Sequence, residues 1–292
     1  MIDAATFQSL RAHLFSVAYR MLGSASEAED VVQDAWLRAA SASAHPESAR
    51  AWLTTVVTRL CLDRLTSASA RREQYVGPWL PEPVPTEAID TAEDIAARHE
   101  SVTMAFLVLL ETLSPAERAA FLLREVFDAD YADVARVLET SPPTARQLVH
   151  RAKERIAAGR QRFDVSPERQ REIVEQFLAA VQKGDLEELE RYLAADVVFT
   201  GDGGGKVATV RRPVYGADSV GRLMISLAKR TAAEPGQWNV HLSSINGEAA
   251  LVNYYQERLD SVFVCSTDGQ RITAIRAIRN PDKLRWLAAK LP

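Results

Sequence analysis

The chain has 292 residues, enough for two or three domains. Its 47% hydrophobic and 25% charged content is ordinary for a globular protein, and a net charge of −4 excludes a uniformly basic nucleic-acid coating while leaving room for local basic patches. No run approaches the ~20 uncharged apolar residues of a membrane span, and the first residues lack the basic-then-apolar pattern of a signal peptide. Cys61 and Cys265 lie far apart with no CxxC or His cluster nearby. Two buried thiols, no metal, no cofactor and a cytoplasmic location are therefore expected.

Residues 6–72 read as helices. Leu10, Leu14, Val17, Ala18 and Met21 recur at three and four spacing and stop at Gly23, a helix-ending residue. A second helix follows, with Ser26 expected as N-cap and Glu29 three residues on. It carries Asp30 and Asp34 one turn apart, next to Gln33 and Leu37. Such an acidic stripe suits a basic protein partner or is simply a solvated face. A third helix, 46–66, carries Trp52, Leu53, Val56, Val57, Leu60 and Leu65, with "SASA" at 67–70 expected to loosen it. It offers Arg50, Arg59 and Arg64 among Thr54, Thr55 and Thr58, followed by Arg71 and Arg72. A cationic track interleaved with flat and polar side chains suits unstacked single-stranded DNA.

Residues 75–85, "YVGPWLPEPVP", then bar a continuing helix with four prolines, yet place Trp79 and Leu80 in the open. Helical periodicity resumes over 91–112. Ser114, Pro115 and Glu117 form a capping-box start, and a short helix "DYADVARVLETS" precedes a longer one capped by Ser141. From 141 to 162 there are six Arg or Lys and one acid, Glu154. Helix, short helix, turn and basic amphipathic helix make a helix-turn-helix whose last helix enters the major groove; a solvated charge run on a plain helical hairpin is the alternative. Thr144, Arg146, Gln147 and His150 are placed to read bases, and Arg151 and Lys153 to hold phosphates.

After "RFDVSPE" at 162–168 the character changes. Two helices joined at Gly184 lead into a strand, and "AALVNYYQERLDSVFVC" and "RITAIRAIR" are strand-like, with Asp268-Gly269 as a hairpin signal. Helices followed by strands indicate an α+β domain.

"AEDVVQDAWLRA" with "RAWLTTVVTRLCLDRLTSASARRE" resembles the second conserved region of the extracytoplasmic-function (ECF) sigma factors. "LSPAERAAFLLREVFDADYADVARVLETSPPTARQLVHRAKERI" resembles their fourth. "WLPEP", "DGGGK" and "NPDKL" resemble signatures of the subgroup with a C-terminal SnoaL-like domain. The resemblance implies a multidomain fold: two all-α sigma domains, the second a helix-turn-helix, then an α+β cone-shaped SnoaL-like (NTF2-like) domain. The expected boundaries are 1–73, a proline linker at 74–95, 96–163 and 164–292. It implies binding of the bacterial RNA polymerase core by Asp30, Gln33, Asp34, Trp36 and Leu37. Trp52, Thr55, Arg59, Asp63, Arg64, Arg71 and Arg72 match the segment that recognises and melts the −10 element. Thr144, Arg146, Gln147, His150, Arg151 and Lys153 face the double-stranded −35 element. Trp79, Leu80, Pro81, Glu82 and Pro83 of the linker are expected to dock on Asp202, Gly203, Gly204, Gly205 and Lys206 and on Asn280, Pro281, Asp282, Lys283 and Leu284, so that the appended domain regulates the sigma modules.

SnoaL-like domains share their fold with ketosteroid isomerase and polyketide cyclases, so an enzyme is the rival reading for this half. Proton abstraction would need a carboxylate in an apolar pocket and oxyanion donors; Asp202, Tyr215, Tyr254, Tyr255, His241 and Asp260 are the raw material. The three glycines after Asp202 point instead to a flexible or backbone-rich loop, and no spacing pairs His241 with Asp260. No catalytic residue is assigned. A second alternative is a helix-turn-helix regulator with a sensor domain, which leaves 27–72 unexplained. A small-molecule ligand in the cone's cavity stays open, and a functional monomer without membrane contact is expected, since one polymerase takes one sigma.

Overall fold

The computed structural model describes residues 2–41, 46–73, 75–89, 102–159 and 165–291. They form two compact units, 1–74 with 87–160 and 75–86 with 161–292. The proline-rich segment thus belongs with the C-terminal unit.

The first unit is helical. Helix α1 (Ala4–Leu22) starts at Asp3, whose carboxylate accepts from the Thr6 N–H, and ends at Gly23 in the left-handed conformation. Helix α2 (Ala25–Ser41) begins two residues earlier than expected. Ser24 rather than Ser26 caps it, its Oγ accepting from the Glu27 N–H at 3.1 Å, because Ala25 already has helical geometry. Helix α3 (Ala49–Glu73) runs through the "SASA" stretch, which contains no glycine or proline to stop it. Leu14, Val17, Val31, Val32, Leu53 and Val57 form the common core of these three helices.

Of the helix expected over 91–112, the described part is α4 (Met104–Leu110); residues 90–101 lie outside the described residues. Helix α5 (Pro115–Phe121) has the full capping box between Ser114 and Glu117 and continues through a π-helical turn, Leu122–Val126. Helices α6 (Tyr131–Val137) and α7 (Pro142–Gly159) complete the helix-turn-helix, packed through Ala120, Leu123, Val134, Ala145 and Val149.

In the second unit, α8 (Pro167–Lys183) and α9 (Leu186–Glu190) are joined at Gly184 in the left-handed conformation. They precede β1 (Leu193–Asp202), the short β2 (Val214–Tyr215) and α10 (Ala217–Ala233). Then come β3 (Trp238–Ile245), β4 (Glu248–Tyr255), β5 (Arg258–Thr267), β6 (Ile272–Ile278) and α11 (Pro281–Ala288). The sheet order is β2-β1-β6-β5-β4-β3, antiparallel except for the β1–β6 pair. This is the expected α+β cone. Its inner face, with Phe199, Leu251, Cys265 and Ile275, packs against Ile173 and Phe177 of α8 and Val220 and Met224 of α10. Both cysteines are free and buried, and burial pushes the thiols up, that of Cys265 to about 12. Among the described residues no helix is long and apolar enough to cross a membrane.

Candidate functional site

Helix α2 buries Ala28, Val31, Val32 and Ala35, which turns Asp30, Gln33 and Leu37 outward on one stripe. Leu37 is 60% exposed, far more than a leucine with an internal role. Asp34 on the same stripe is held by Arg64 of α3 at 2.7 Å, and Arg64 also donates to the Glu27 carbonyl at 2.7 Å. Trp36 is half-buried against Phe7, ring centroids 5.0 Å apart, so it shapes the stripe from behind as well as bordering it.

Helix α3 presents a mixed surface. Asp63 is exposed, while Trp52 and Thr55 are half-buried, with Thr55 Oγ1 returned to the Ala51 carbonyl. Thr58, expected among the polar surface residues, is fully buried beside Val57 on the core side of the helix. Thr54 faces His13 Nε2 at 3.1 Å. Arg59 donates to the carbonyls of Arg136 and Val137 at 3.0 and 3.3 Å and pairs with Glu139 at 3.1 Å, so the helix-turn-helix occupies it. The side chains of Arg71 and Arg72 lie outside the described residues.

Helix α7 buries Ala145, Val149, Ala152 and Ile156. Thr144, Arg146, Gln147, His150, Arg151 and Lys153 are all exposed, as the spacing predicts. The Arg146 guanidinium lies 5.2 Å from the Tyr131 ring centre, which props it near the helix N-terminus. Lys153, two turns on, pairs with Glu125 at 2.7 Å.

The second unit holds the segment 75–86 by an organised set of bonds. Asp202, at the end of β1, is fully buried. Its carboxylate accepts from Tyr75 Oη at 2.5 Å, the Leu80 N–H at 2.8 Å, Lys283 Nζ at 2.6 Å and the Gly204 N–H at 3.1 Å. Lys283, on α11, also donates to the Leu80 carbonyl, and its ammonium sits 4.1 Å from the Trp79 ring centre. Asn280 caps α11 and donates to Tyr75 Oη at 2.9 Å. Pro81, Pro83 and Val84 are buried, and Leu80 is only 2% exposed. Further along, Val84 and Asn246 exchange hydrogen bonds, and Thr86 Oγ1 meets the Gly247 N–H and Ser244 Oγ.

The glycines after Asp202 follow from this geometry. A Cβ on Gly203 would collide with the Val207 carbonyl, and one on Gly204 (φ 57°) with the Asn280 amide; Gly205 (φ 71°) lies against Val76. Of the two alternatives, flexible or backbone-rich, the loop is the backbone-rich one, packed because the linker and α11 close over it. Lys206 and Asp282 form an ion pair beside it, which holds the Asp282 carboxyl below the usual carboxylate range.

Burial, and then the hydrogen bond to Asp202, pushes the Tyr75 hydroxyl well above its ordinary value of 10.0. A pKa raised by docking means that docking is fully stabilised below the free tyrosine value and weakens as pH rises through the docked one. Subtracting the spectrophotometric titration of Tyr75→Phe from that of the wild type should therefore leave one phenol titrating above the ordinary range. A difference titrating within that range would contradict the buried contact.

The enzyme candidates do not converge. Asp202 is spent on four donors, Tyr215 and His241 are exposed, and Tyr255 Oη donates to the Pro235 carbonyl. Asp260 pairs with Arg279 at 3.1 Å. Tyr75, Asn246 and Thr86 were missed by the sequence reading. Asn246-Gly247, both with positive φ, is the Asn-Gly hairpin signal that would have located the β3–β4 turn.

Comparison with known proteins identifies the family. Residues 6–71 match sigma-70 region 2 and residues 103–156 match sigma-70 region 4. The chain is 40% identical to the ECF RNA polymerase sigma factor SigJ of Mycobacterium tuberculosis (strain ATCC 25618 / H37Rv), covering 97% of this chain and 93% of that protein. It is 33% identical to the probable ECF RNA polymerase sigma factor SigI of Mycobacterium tuberculosis (strain CDC 1551 / Oshkosh), covering 99% and 97%. The crystal structure of Mycobacterium tuberculosis SigJ superposes with a TM-score of 0.75 at 35% identity over 97% of this chain and 98% of that one. The chain therefore belongs to the ECF sigma factors and is an alternative sigma factor with a C-terminal SnoaL-like domain.

Proposed function

We propose that the α2 stripe of Asp30, Gln33, Asp34 and Leu37, bordered by Trp36, seats the protein on core polymerase. Trp52, Thr55, Arg59, Asp63 and Arg64, with Arg71 and Arg72, hold and open the −10 element, and the exposed face of α7 reads the −35 element. The outward stripe on α2 and the outward basic face on α7 support this assignment. Arg59 is now bound to Arg136, Val137 and Glu139, so its use on DNA requires that contact to open.

The SnoaL-like domain regulates these modules by gripping the chain that joins them. The observation that carries this reading is Asp202, buried and satisfied largely by linker donors and by Lys283. A linker held at Leu80 and Val84 restricts how regions 2 and 4 spread across two promoter elements, so docking biases a two-state equilibrium. The domain works by holding rather than by chemistry, and the protein acts as a monomer beside polymerase in the cytoplasm.

Limited proteolysis tests the grip. Trp79→Ala removes the ring under Lys283 and should speed cleavage within 75–86 while the rest of the domain stays resistant. Equal cleavage rates in the folded wild type and variant would mean that the linker is a plain spacer.

A further inference from the structure

The outward residues of α7 are not equally ready to meet DNA. Thr144 Oγ1 meets Ser141 Oγ at 2.9 Å, His150 lies 3.6 Å from the Glu154 carboxylate, and Lys153 pairs with Glu125. Arg146 is held in a different way. Among the described residues its guanidinium makes no hydrogen bond or ion pair, yet it lies over the Tyr131 ring, 5.2 Å from the ring centre. An ion pair would hold the side chain by consuming its N–H donors. An aromatic ring attracts the cation through its π-face, which leaves the donors of the planar fork available to the two acceptors of a base edge. A side chain that is already held also loses less freedom when it makes that contact.

The ring is itself fixed. Tyr131 is the first residue of α6, directly after Asp130, whose carboxylate caps the helix by accepting from the Asp133 N–H at 2.7 Å. It packs against the core that Ala120, Val134 and Val149 form within the helix-turn-helix. A second guanidinium, that of Arg124, lies 5.0 Å from the same ring centre. Arg124 donates to the Ala129 carbonyl at 2.9 Å and faces the Asp128 carboxylate at 3.8 Å. It is therefore tied to the loop in front of α6, and Asp128 offsets part of the charge it would otherwise turn on Arg146. Core packing, the helix cap and Arg124 all fix the ring without DNA, and Arg146 rests on it.

We propose that Tyr131 is a positioning residue for promoter recognition: its ring aims Arg146 and so sets the sequence preference at the base pair that Arg146 meets. This role rests on the reading of α7 given above and acts entirely through Arg146.

The test is selection from a duplex library randomised over the −10 and −35 elements, by holoenzyme assembled from the full-length protein and bacterial core polymerase. Sequencing reads the base preference at each position. Arg146→Ala locates the positions that Arg146 reads, by flattening them. Tyr131→Leu keeps an apolar side chain on the core but removes the ring. It should lower preference at those same positions by roughly 2- to 5-fold, the worth of an exposed cation–ring contact, and leave the other positions unchanged. Tyr131→Phe keeps the ring and should keep the wild-type preference. Adding Tyr131→Leu to Arg146→Ala should change nothing further. Variants are compared at equal thermal midpoint, and Tyr131→Met takes the place of Tyr131→Leu if the leucine variant is less stable. Wild-type preference in Tyr131→Leu, an equal loss in Tyr131→Phe, or a loss spread evenly over every −35 position overturns the role; the last result means that the ring only packs the helix-turn-helix. If Arg146→Ala flattens no position, the reading of α7 is itself overturned, and the role of Tyr131 with it.

Discussion

Asp202→Ala should free the linker and destabilise the C-terminal domain by ~3–5 kcal/mol, the cost of stranding one partner of a buried ion pair. Lys283 is 8% exposed in its side chain and Asp202 not at all, so water cannot replace the lost carboxylate without the site opening. The Leu80 N–H and the Tyr75 hydroxyl lose their acceptor in the same step. Two controls separate charge from shape. Asp202→Asn keeps an acceptor but leaves the ammonium unneutralised, and should fall between the wild type and the alanine variant. Adding Lys283→Met to Asp202→Asn removes the stranded charge and should recover part of the loss, since a buried pair replaced by neutral side chains is often tolerated. Denaturant unfolding gives the stability, and cleavage within 75–86 gives the linker. Wild-type stability with wild-type linker protection in Asp202→Ala would contradict the grip.

Arg146→Ala and Gln147→Ala should each lose ~1–3 kcal/mol of discrimination at the −35 element if the contact is bidentate. Both residues are exposed near the start of α7, where a recognition helix meets base edges. Lys153→Ala lies further along and should weaken binding to matched and scrambled DNA alike, lowering the salt slope by about one ion. Its pairing with Glu125 reduces that effect, because part of its charge is already neutralised. Fluorescence anisotropy on both DNAs over a salt series distinguishes the two classes. Equal effects of all three variants on both sequences would mean that α7 meets DNA by another face.

Local signals are legible in the sequence and long-range ones are not. Gly23, the Ser114–Glu117 box and the exposed face of α7 are set by neighbours within one or two turns, so spacing alone finds them. Ser24 and Ser26 are both good caps, and only the backbone at Ala25 chooses between them. Strand β3 and helix α10 are not among the expected elements, although Asn246-Gly247 marks the turn beside β3. The role of Asp202 could not come from periodicity, since its donors sit at 75, 80, 204 and 283. There the resemblance of the three short motifs carried the expectation that the linker and two distant loops meet. It did not supply Tyr75, which lies just ahead of the first motif, or the reason for the glycines, which is the close approach of Asn280 and Val76.

The most direct measurement is run-off transcription with sigma-free bacterial core polymerase, comparing wild type with Asp202→Ala on the same promoter template. A promoter-specific transcript is expected with the wild type, dependent on intact −10 and −35 elements, and a changed yield with the variant whose linker is released. A wild-type yield no higher than that of core alone on every promoter of its host would contradict the assignment of these surfaces, and identical yields from the two proteins would contradict regulation through the linker.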